Sequence, residues 1–142
     1  MSVVLDTDHL SILQWEEQPA CDRLLARLDE LAPDDIATTI VSFHEEVQGW
    51  SAYLNRARKG AQVVKAYHNL ETIWRSFLKM NVLSFSDEAL ERFETLRRQC
   101  PRVQTMDLRI ASIALTKDST LLSRNLRDFR QVPGLRVEDW TA

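Results

Sequence analysis

The sequence predicts an α/β fold: a three-layer sandwich in which a mainly parallel sheet of four to five strands is flanked by helices. Short apolar runs rich in β-branched residues recur along the chain, and amphipathic stretches of helical periodicity separate them. The first run, Val3–Leu5, is apolar at every position, which is typical of a parallel strand buried on both faces. Strands that alternate with helices in this way build a parallel sheet with helices on both faces.

The first third of the chain contains two predicted strands and two predicted helices. Val3–Leu5 is the first strand, and we expect it to be the innermost. A short helix, His9–Trp15, follows it. In the second helix, Ala20–Leu31, four leucines (Leu24, Leu25, Leu28 and Leu31) recur at the spacing of one helical face. The turn-forming residues 32–35 then lead to a second strand, Ile36–Val41, rich in β-branched residues.

A helical hairpin is predicted next. Ser42 fits an N-cap and Glu45 the acidic partner of a capping box, so a helix should run from there to Arg58. Beyond Gly60, the stretch Ala61–Met80 is again amphipathic. The pair contains more large apolar residues than one small core needs, so part of its surface is expected to be an interface. These residues are Trp50, Tyr53, Trp74 and Phe77.

The last part of the chain repeats the alternation of strands and helices. The predicted elements are a strand Asn81–Phe85, a helix capped by Ser86 and running to Gln99, a helix Thr105–Lys117, a strand Thr120–Ser123, a polar turn Arg124–Arg130 and an edge strand Leu135–Val137.

Length and composition limit the possible classes of protein. With 142 residues, 44% of them hydrophobic, the chain suits one domain, residues 1–142, with one core. No apolar run approaches the roughly 20 residues that span a membrane, and the first residues lack a secretory signal. Cys21 and Cys100 lie far apart and are expected to be free thiols. A cytoplasmic protein is therefore expected.

Acidic and polar residues follow the predicted strands. Asp6 comes directly after the first strand, Glu45 lies early in the helix after the second, and Asp107 lies in the first turn of the helix Thr105–Lys117. Asn125 and Asp128 follow the fourth strand. Each acid taken alone could merely cap a helix or be an acid that the helix dipole stabilises in the first turn. However, the carboxyl ends of parallel strands meet at one edge of a sheet, so these residues should converge there.

A pocket rich in carboxylates suits a hard divalent cation, Mg²⁺ or Mn²⁺. Zinc is disfavoured, because His9, His44 and His68 lack the spacing of zinc ligands. The chain also has no nucleophile elbow and no glycine-rich phosphate loop, which argues against a serine hydrolase and against the common nucleotide-binding folds.

Five segments, in order and spacing, resemble the PIN-domain ribonucleases and in particular the VapC toxins of bacterial toxin–antitoxin pairs. They are Val3–Asp8, Glu45–Trp50, Met106–Ala111, Leu121–Phe129 and Val132–Trp140. The resemblance covers the whole chain.

The resemblance implies a metal site formed by Asp6, Glu45 and Asp107. Glu45 is chosen over Glu46 because it lies four residues before Gly49. Where many family members have a fourth acid, this chain has Asn125, and Asp128 one turn further along could supply the charge. The residues assigned to catalysis are therefore Asp6, Glu45, Asp107, Asn125 and Asp128. Thr7 and Ser123 would support them with hydroxyl groups, and Asp8 also fits the family pattern.

The implied function is that of a Mg²⁺- or Mn²⁺-dependent endoribonuclease, the toxin of a toxin–antitoxin pair. It would hydrolyse phosphodiesters of tRNA or another structured RNA to 5′-phosphate and 3′-hydroxyl ends. The expected partners are RNA, a cognate antitoxin and a second copy of the chain. The candidates for phosphate contacts are Arg109, Arg124, Arg127 and Arg130.

Two alternatives remain open from the residues alone. One is a metal-free ribonuclease in which His9 and His44 act as acid and base. The other is a non-catalytic PIN-like domain that binds RNA or a partner, with Asn125 as a sign of lost activity.

Overall fold

The computed structural model describes residues 1–142. Its strands are β1 (Val3–Leu5), β2 (Ile36–Thr39), β3 (Asn81–Leu83), β4 (Thr120–Leu122) and β5 (Val137–Glu138). Its helices are α1 (Thr7–Trp15), α2 (Ala20–Leu28), α3 (Ile40–Arg56), α4 (Gly60–Leu78), α5 (Asp87–Gln99), α6 (Thr105–Thr116) and α7 (Leu126–Phe129), with a short 3₁₀ turn at Pro33–Asp35. The five strands form one wholly parallel sheet in the order β3-β2-β1-β4-β5. The predicted α/β fold is confirmed.

Strand β1 lies at the centre of the sheet, as predicted, and is buried on both faces. Val4 points into a core built mainly with α5 and α6, whereas Val3 and Leu5 point into a second core built mainly with α1, α2 and α4. The alternation follows from the period of two along a strand. All the strands run in one direction, so the residues that follow β1, β2 and β4 lie at one edge of the sheet.

The start of α3 differs from the prediction. Strand β2 ends at Thr39, and the helix begins at Ile40. Thr39, not Ser42, is the N-cap, because its hydroxyl oxygen accepts the Ser42 N–H at 3.1 Å. The predicted capping box with Glu45 is therefore wrong. The β-branched pair Ile40–Val41 favoured a strand, but the cap satisfies a free N–H of the first turn and decides the boundary.

Three further predictions needed correction. The stretch Arg124–Arg130, predicted as a turn, contains the short helix α7, whose Phe129 is completely buried. The last strand is Val137–Glu138 and not Leu135–Val137. Helix α2 ends at Leu28, and Leu25 is 42% exposed, so the predicted four-leucine face is interrupted.

Helix α4 presents apolar side chains to solvent. The residues it buries are Ala66, Asn69, Ile73 and Phe77. Val64, Tyr67, Trp74 and Leu78 are instead between 55% and 70% exposed. These four residues are called the α4 apolar face below, and such a face is typical of an interaction surface. Of the hairpin residues that were expected to contribute in part to an interface, Trp74 is exposed and Phe77 belongs to the core.

Two expectations from composition can be compared with the structure. Cys21 and Cys100 are both free and buried, as predicted. None of the helices has the length and apolar character required to cross a membrane.

Candidate active site

Asp6, directly after β1, is only 6% exposed and receives two hydrogen bonds. Its Oδ1 accepts the Thr7 N–H at 2.8 Å, which makes it the N-cap of α1, and its Oδ2 accepts the Ser123 hydroxyl at 2.7 Å. Asp6 is therefore a helix cap and also part of a contact with the end of β4. Its capping role does not exclude a role in a site.

Glu45 is connected to the same edge through α1. The Thr7 hydroxyl donates to Glu45 Oε1 at 2.8 Å and lies 3.1 Å from the Ser42 hydroxyl oxygen. Glu46, the neighbouring acid, instead faces Gln14 on α1, and its Oε1 is buried without a hydrogen-bond partner. The structure thus brings Glu45, and not Glu46, into a hydrogen bond with Thr7, the residue that follows Asp6.

Asp107 lies in the first turn of α6, where Asn125 reaches it from the end of β4. The amide nitrogen of Asn125 donates to Asp107 Oδ2 at 3.4 Å and to Asp128 Oδ2 at 3.1 Å. Because both neighbours are carboxylates, the amide nitrogen has to face them. Asn125 thus bridges two acids and places a donor between them, where a fourth carboxylate would add to the repulsion.

Burial and mutual repulsion raise the pKa values of the three carboxylates. Burial, followed by the charges of Asp8 and Asp107, raises the pKa of Asp6 to about 7. Burial, followed by the charges of Glu45, Asp128 and Asp8, raises the pKa of Asp107 to about 6. The pKa of Glu45 is also raised, mainly by burial and with a contribution from Asp8.

No lysine or arginine forms an ion pair with any of these acids. Raised pKa values in a group of acids without a cation indicate a site that positive charge would stabilise. The pocket offers only carboxylate, amide and hydroxyl oxygens, which are the ligands of hard divalent cations such as Mg²⁺ and Mn²⁺. No three His, Cys, Asp or Glu side chains lie close enough together to form a ready-made metal site. The chemistry of the donors therefore fits a divalent cation. Complete coordination would require the side chains to move closer together or water molecules to supply the remaining ligands.

His9 does not line this pocket. Its ring is completely buried, with Nδ1 2.8 Å from Asp8 Oδ1 and Nε2 accepting the Trp140 N–H at 3.1 Å. Both nitrogens are thus engaged inside the protein, whereas His44 is exposed on α3. A cooperating acid–base pair of His9 and His44 has no support in this geometry. No pattern in the sequence indicates the contact with Trp140, since 131 residues separate the two.

The four candidate arginines lie in different surroundings. Arg124, Arg127 and Arg130 are exposed, and the Arg124 Nε donates to the Thr141 hydroxyl at 2.9 Å. Arg109 is half-buried, with its guanidinium 5.7 Å from the centre of the Phe93 ring. Beside Glu45 an open groove of about 510 Å³ is lined by Glu45, Gln48, Gly49, Gln104, Thr105 and Met106.

Comparisons with known proteins agree with this architecture. Over 76 residues the chain is 29% identical to the tRNA(fMet)-specific endonuclease VapC of Salmonella typhimurium, and the match covers 51% of this chain and 58% of that protein. The chain thus matches less than two thirds of that relative's length.

Similar solved structures include VapBC2 from Rickettsia felis bound to a DNA fragment of its promoter, with a TM-score of 0.77, 21% identity and 99% of both chains covered. Another is VapBC-1 from nontypeable Haemophilus influenzae, with a TM-score of 0.74, 23% identity and 100% of both chains covered. At these identities the likeness concerns the fold. The family model described as the PIN domain matches residues 3–135, and the chain therefore belongs to the PIN-domain family.

Proposed function

We propose that this chain is a divalent-metal-dependent endoribonuclease and the toxin of a toxin–antitoxin pair. One observation carries the proposal. Asp6, Glu45 and Asp107, from three separate segments, lie at one edge of a parallel sheet with raised pKa values and no cation among them. Membership of the PIN-domain family and the similarity to VapC of Salmonella typhimurium support it.

In the proposed site Asp6, Glu45 and Asp107 hold Mg²⁺ or Mn²⁺, and Asn125 and Asp128 complete the pocket. A bound divalent cation supplies neutralisation of charge on the scissile phosphate and activation of water as the nucleophile.

The contribution of the protein is positioning. The Ser123 hydroxyl orients Asp6 by its hydrogen bond to Oδ2, and the Thr7 hydroxyl orients Glu45 by its hydrogen bond to Oε1. Asp6, whose Oδ1 also accepts the Thr7 N–H, therefore has both oxygens held within the protein, and Glu45 has one. Hydroxyls that fix ligands in this way reduce the reorganisation needed when a charged substrate arrives.

The proposed substrate is cytoplasmic RNA, with tRNA or another structured RNA that exposes a loop as the preferred class. Arg124, Arg127 and Arg130 are exposed beyond β4, where they could contact phosphates along the strand. The products carry 5′-phosphate and 3′-hydroxyl ends, because water and not the 2′-hydroxyl attacks.

The proposed protein partners are a cognate antitoxin and a second copy of the chain. The solved structures of similar fold include VapBC assemblies, which motivates this part of the proposal. The α4 apolar face offers a surface that a partner helix could cover.

The decisive experiment incubates purified protein with total tRNA in Mg²⁺, in Mn²⁺ and in EDTA, and maps the ends of the fragments. We expect cleavage only with metal, and 5′-phosphate ends. Glu94→Gln, at an exposed position of α5, serves as the matched control and should cleave like wild type. Cleavage in EDTA with 2′,3′-cyclic phosphate ends would contradict the proposed mechanism.

If no cleavage is observed, the melting temperature with metal distinguishes a non-catalytic protein from a nuclease whose RNA substrate was not in the assay. Mn²⁺ should raise the melting temperature of the wild type by mass action, and that of Asp107→Asn much less. A protein that cleaves no RNA and whose melting is indifferent to metal would be a non-catalytic domain.

A further inference from the structure

His9 connects the candidate site to a segment far away in the sequence. It lies in α1 and is completely buried, and its two ring nitrogens contact different parts of the chain. Nδ1 lies 2.8 Å from Asp8 Oδ1, and Nε2 accepts the backbone N–H of Trp140 at 3.1 Å. Trp140 itself is buried, at 4% exposure, in the core that contains α1.

The contact with Trp140 determines where the ring carries its proton. A backbone N–H can only donate, so Nε2 of His9 must offer its lone pair. The proton of the neutral ring is therefore on Nδ1, which donates to Asp8 Oδ1. Asp139 Oδ1 lies 3.6 Å from Nε2, beyond hydrogen-bonding distance. That oxygen instead accepts the N–H and the hydroxyl of Thr141, at 2.8 and 2.6 Å.

Asp8, the partner of His9 Nδ1, also contacts the loop that follows β4. Its second oxygen, Oδ2, accepts the Arg124 N–H at 2.9 Å and lies 3.3 Å from the Ser123 hydroxyl. The same hydroxyl donates to Asp6, and its oxygen accepts the Asn125 N–H at 3.0 Å. Asp8 is thus the junction between α1 and residues 123–125, and His9 determines which way Asp8 points.

We propose that His9 is a positioning residue of this site. Its Nδ1–H holds Asp8, and through Asp8 it holds residues 123–125 against Asp6, while its Nε2 is anchored by segment 138–141. His9 touches neither substrate nor cation, and it acts on the reaction only through Asp8. The part of the inference that concerns RNA cleavage rests on the proposed function.

Two substitutions of His9 each remove one of the two hydrogen bonds that its ring forms and keep the other. In His9→Asn the amide nitrogen can take the place of Nδ1, so the bond to Asp8 is kept and the acceptor for Trp140 is lost. In His9→Gln the longer side chain can accept the Trp140 N–H, and the bond to Asp8 is lost. Each variant loses one of the two hydrogen bonds of the His9 ring, so we expect both to melt below wild type.

Activity should distinguish them. We expect His9→Gln to lose about 10- to 100-fold in kcat with little change in KM, while His9→Asn stays within a few-fold of wild type. Ser112→Ala is the control, because it removes a buried hydrogen bond elsewhere in the protein, which the Ser112 hydroxyl donates to the Leu108 carbonyl at 2.6 Å. It should lower the melting temperature and leave activity unchanged at temperatures well below melting. Equal activity losses in both His9 variants would overturn the proposal.

A second readout does not depend on activity. Nitrogen-15 NMR of the wild type should show the proton of His9 on Nδ1, and the Arg124 amide should exchange slowly in wild type and His9→Asn but faster in His9→Gln. A proton on Nε2, or an Arg124 amide that exchanges equally in all three proteins, would overturn the proposal. If the NMR result is as expected but wild type cleaves no RNA, the proposed function fails and the positioning of Asp8 by His9 stands.

Discussion

The two sides of the acidic pocket are built differently. On the inner side, which consists of Asp6, Thr7, Glu45 and Ser123, the hydrogen bonds that hold the acids measure 2.7 to 2.8 Å. On the outer side, which consists of Asp107, Asn125 and Asp128, the corresponding contacts measure 3.1 to 3.4 Å. Asp6 and Ser123 are buried, whereas Thr7, Glu45 and all three outer residues are half-buried. The acids of the inner side are therefore held by shorter hydrogen bonds than those of the outer side.

The acids of the pocket are therefore held to different degrees. A cation would meet Asp6 and Glu45 held by short hydrogen bonds, whereas Asp107 on α6 is held only by a longer contact with Asn125. The repulsion spans both sides, since the pKa values of Asp6 and Asp107 are raised to about 7 and about 6. Neutralising an acid on either side should therefore relieve repulsion, whereas removing a hydrogen bond should cost more stability on the inner side than on the outer side.

The largest expected effect is the loss of cleavage when any of the three proposed metal ligands is neutralised. Asp6→Asn, Glu45→Gln and Asp107→Asn should each reduce kcat/KM by at least about 100-fold, because each removes a carboxylate that would hold the divalent cation. Single-turnover cleavage of tRNA in Mg²⁺ measures this, with circular dichroism to show that each variant is folded. Near-wild-type activity in one variant would remove that residue from the site.

The next effect concerns stability without metal. The pKa of Asp6 is raised from 3.8 to about 7, so its ionisation disfavours the folded state, and the free energy of unfolding should fall as the pH rises through this interval. Asp6→Asn cannot ionise and should melt at or above wild type near pH 7 in EDTA, with a gain of about 1.4 kcal/mol per pKa unit relieved. Both hydrogen bonds can survive in this variant, because the amide nitrogen can donate to the Ser123 oxygen.

Thermal melts from pH 5 to pH 8 in EDTA test this, with Glu94→Gln as the control. The difference between Asp6→Asn and wild type should grow with pH. Because asparagine caps a helix as well as aspartate does, an Asp6→Asn variant that melts well below wild type at every pH would show that the ionised Asp6 carboxylate does not destabilise the fold.

A comparison of Ser123→Ala with Asn125→Ala tests the two sides directly. Ser123→Ala leaves the buried Asp6 Oδ2 without its donor and should cost about 1 to 3 kcal/mol of stability, together with about 10-fold or more in activity. Asn125→Ala removes longer and partly exposed bonds, so both losses should be smaller. Urea unfolding and cleavage rates measure the two quantities. If Asn125→Ala is the more damaging of the two, the hydrogen bonds of the outer side, and not those of the inner side, contribute most to the pocket.

The smallest expected effect is that of Asp128→Asn. Asp128 raises the pKa of Asp107, so its neutralisation should lower that pKa and change the cleavage rate by only a few-fold near neutral pH. The pH profile of kcat/KM measures this, and its acidic limb should move to lower pH. A loss as large as that of Asp107→Asn would make Asp128 a ligand in its own right.

The sequence was sufficient to predict where the acids meet, because that depends on strand order and direction. Asp6, Glu45 and Asp107 each follow or face a strand end, and a parallel sheet brings such positions to one edge. The N-cap at Thr39 was missed, since the β-branched pair Ile40–Val41 favours a strand and the cap competes with that preference locally.

The supporting contacts could not be predicted in the same way. The bond between His9 and the Trp140 backbone joins residues 131 positions apart, and it leaves no periodicity or spacing in the sequence. The bridging role of Asn125 also depended on the position of α7, which its polar composition concealed. Helix periodicity and turn chemistry report only local preferences, whereas these contacts depend on how distant elements pack.

The central position of β1 has a consequence for synthesis. Asp6 is synthesised well before the hydroxyl that holds it, which belongs to Ser123, 117 residues later. At about 10 residues per second, roughly ten seconds of translation separate the two. Until β4 is made, β1 lacks one neighbour in the sheet, and Asp6 lacks the donor to its Oδ2. The ordered pocket is therefore a late product of translation, and a nascent chain that stops before Ser123 should have no nuclease activity.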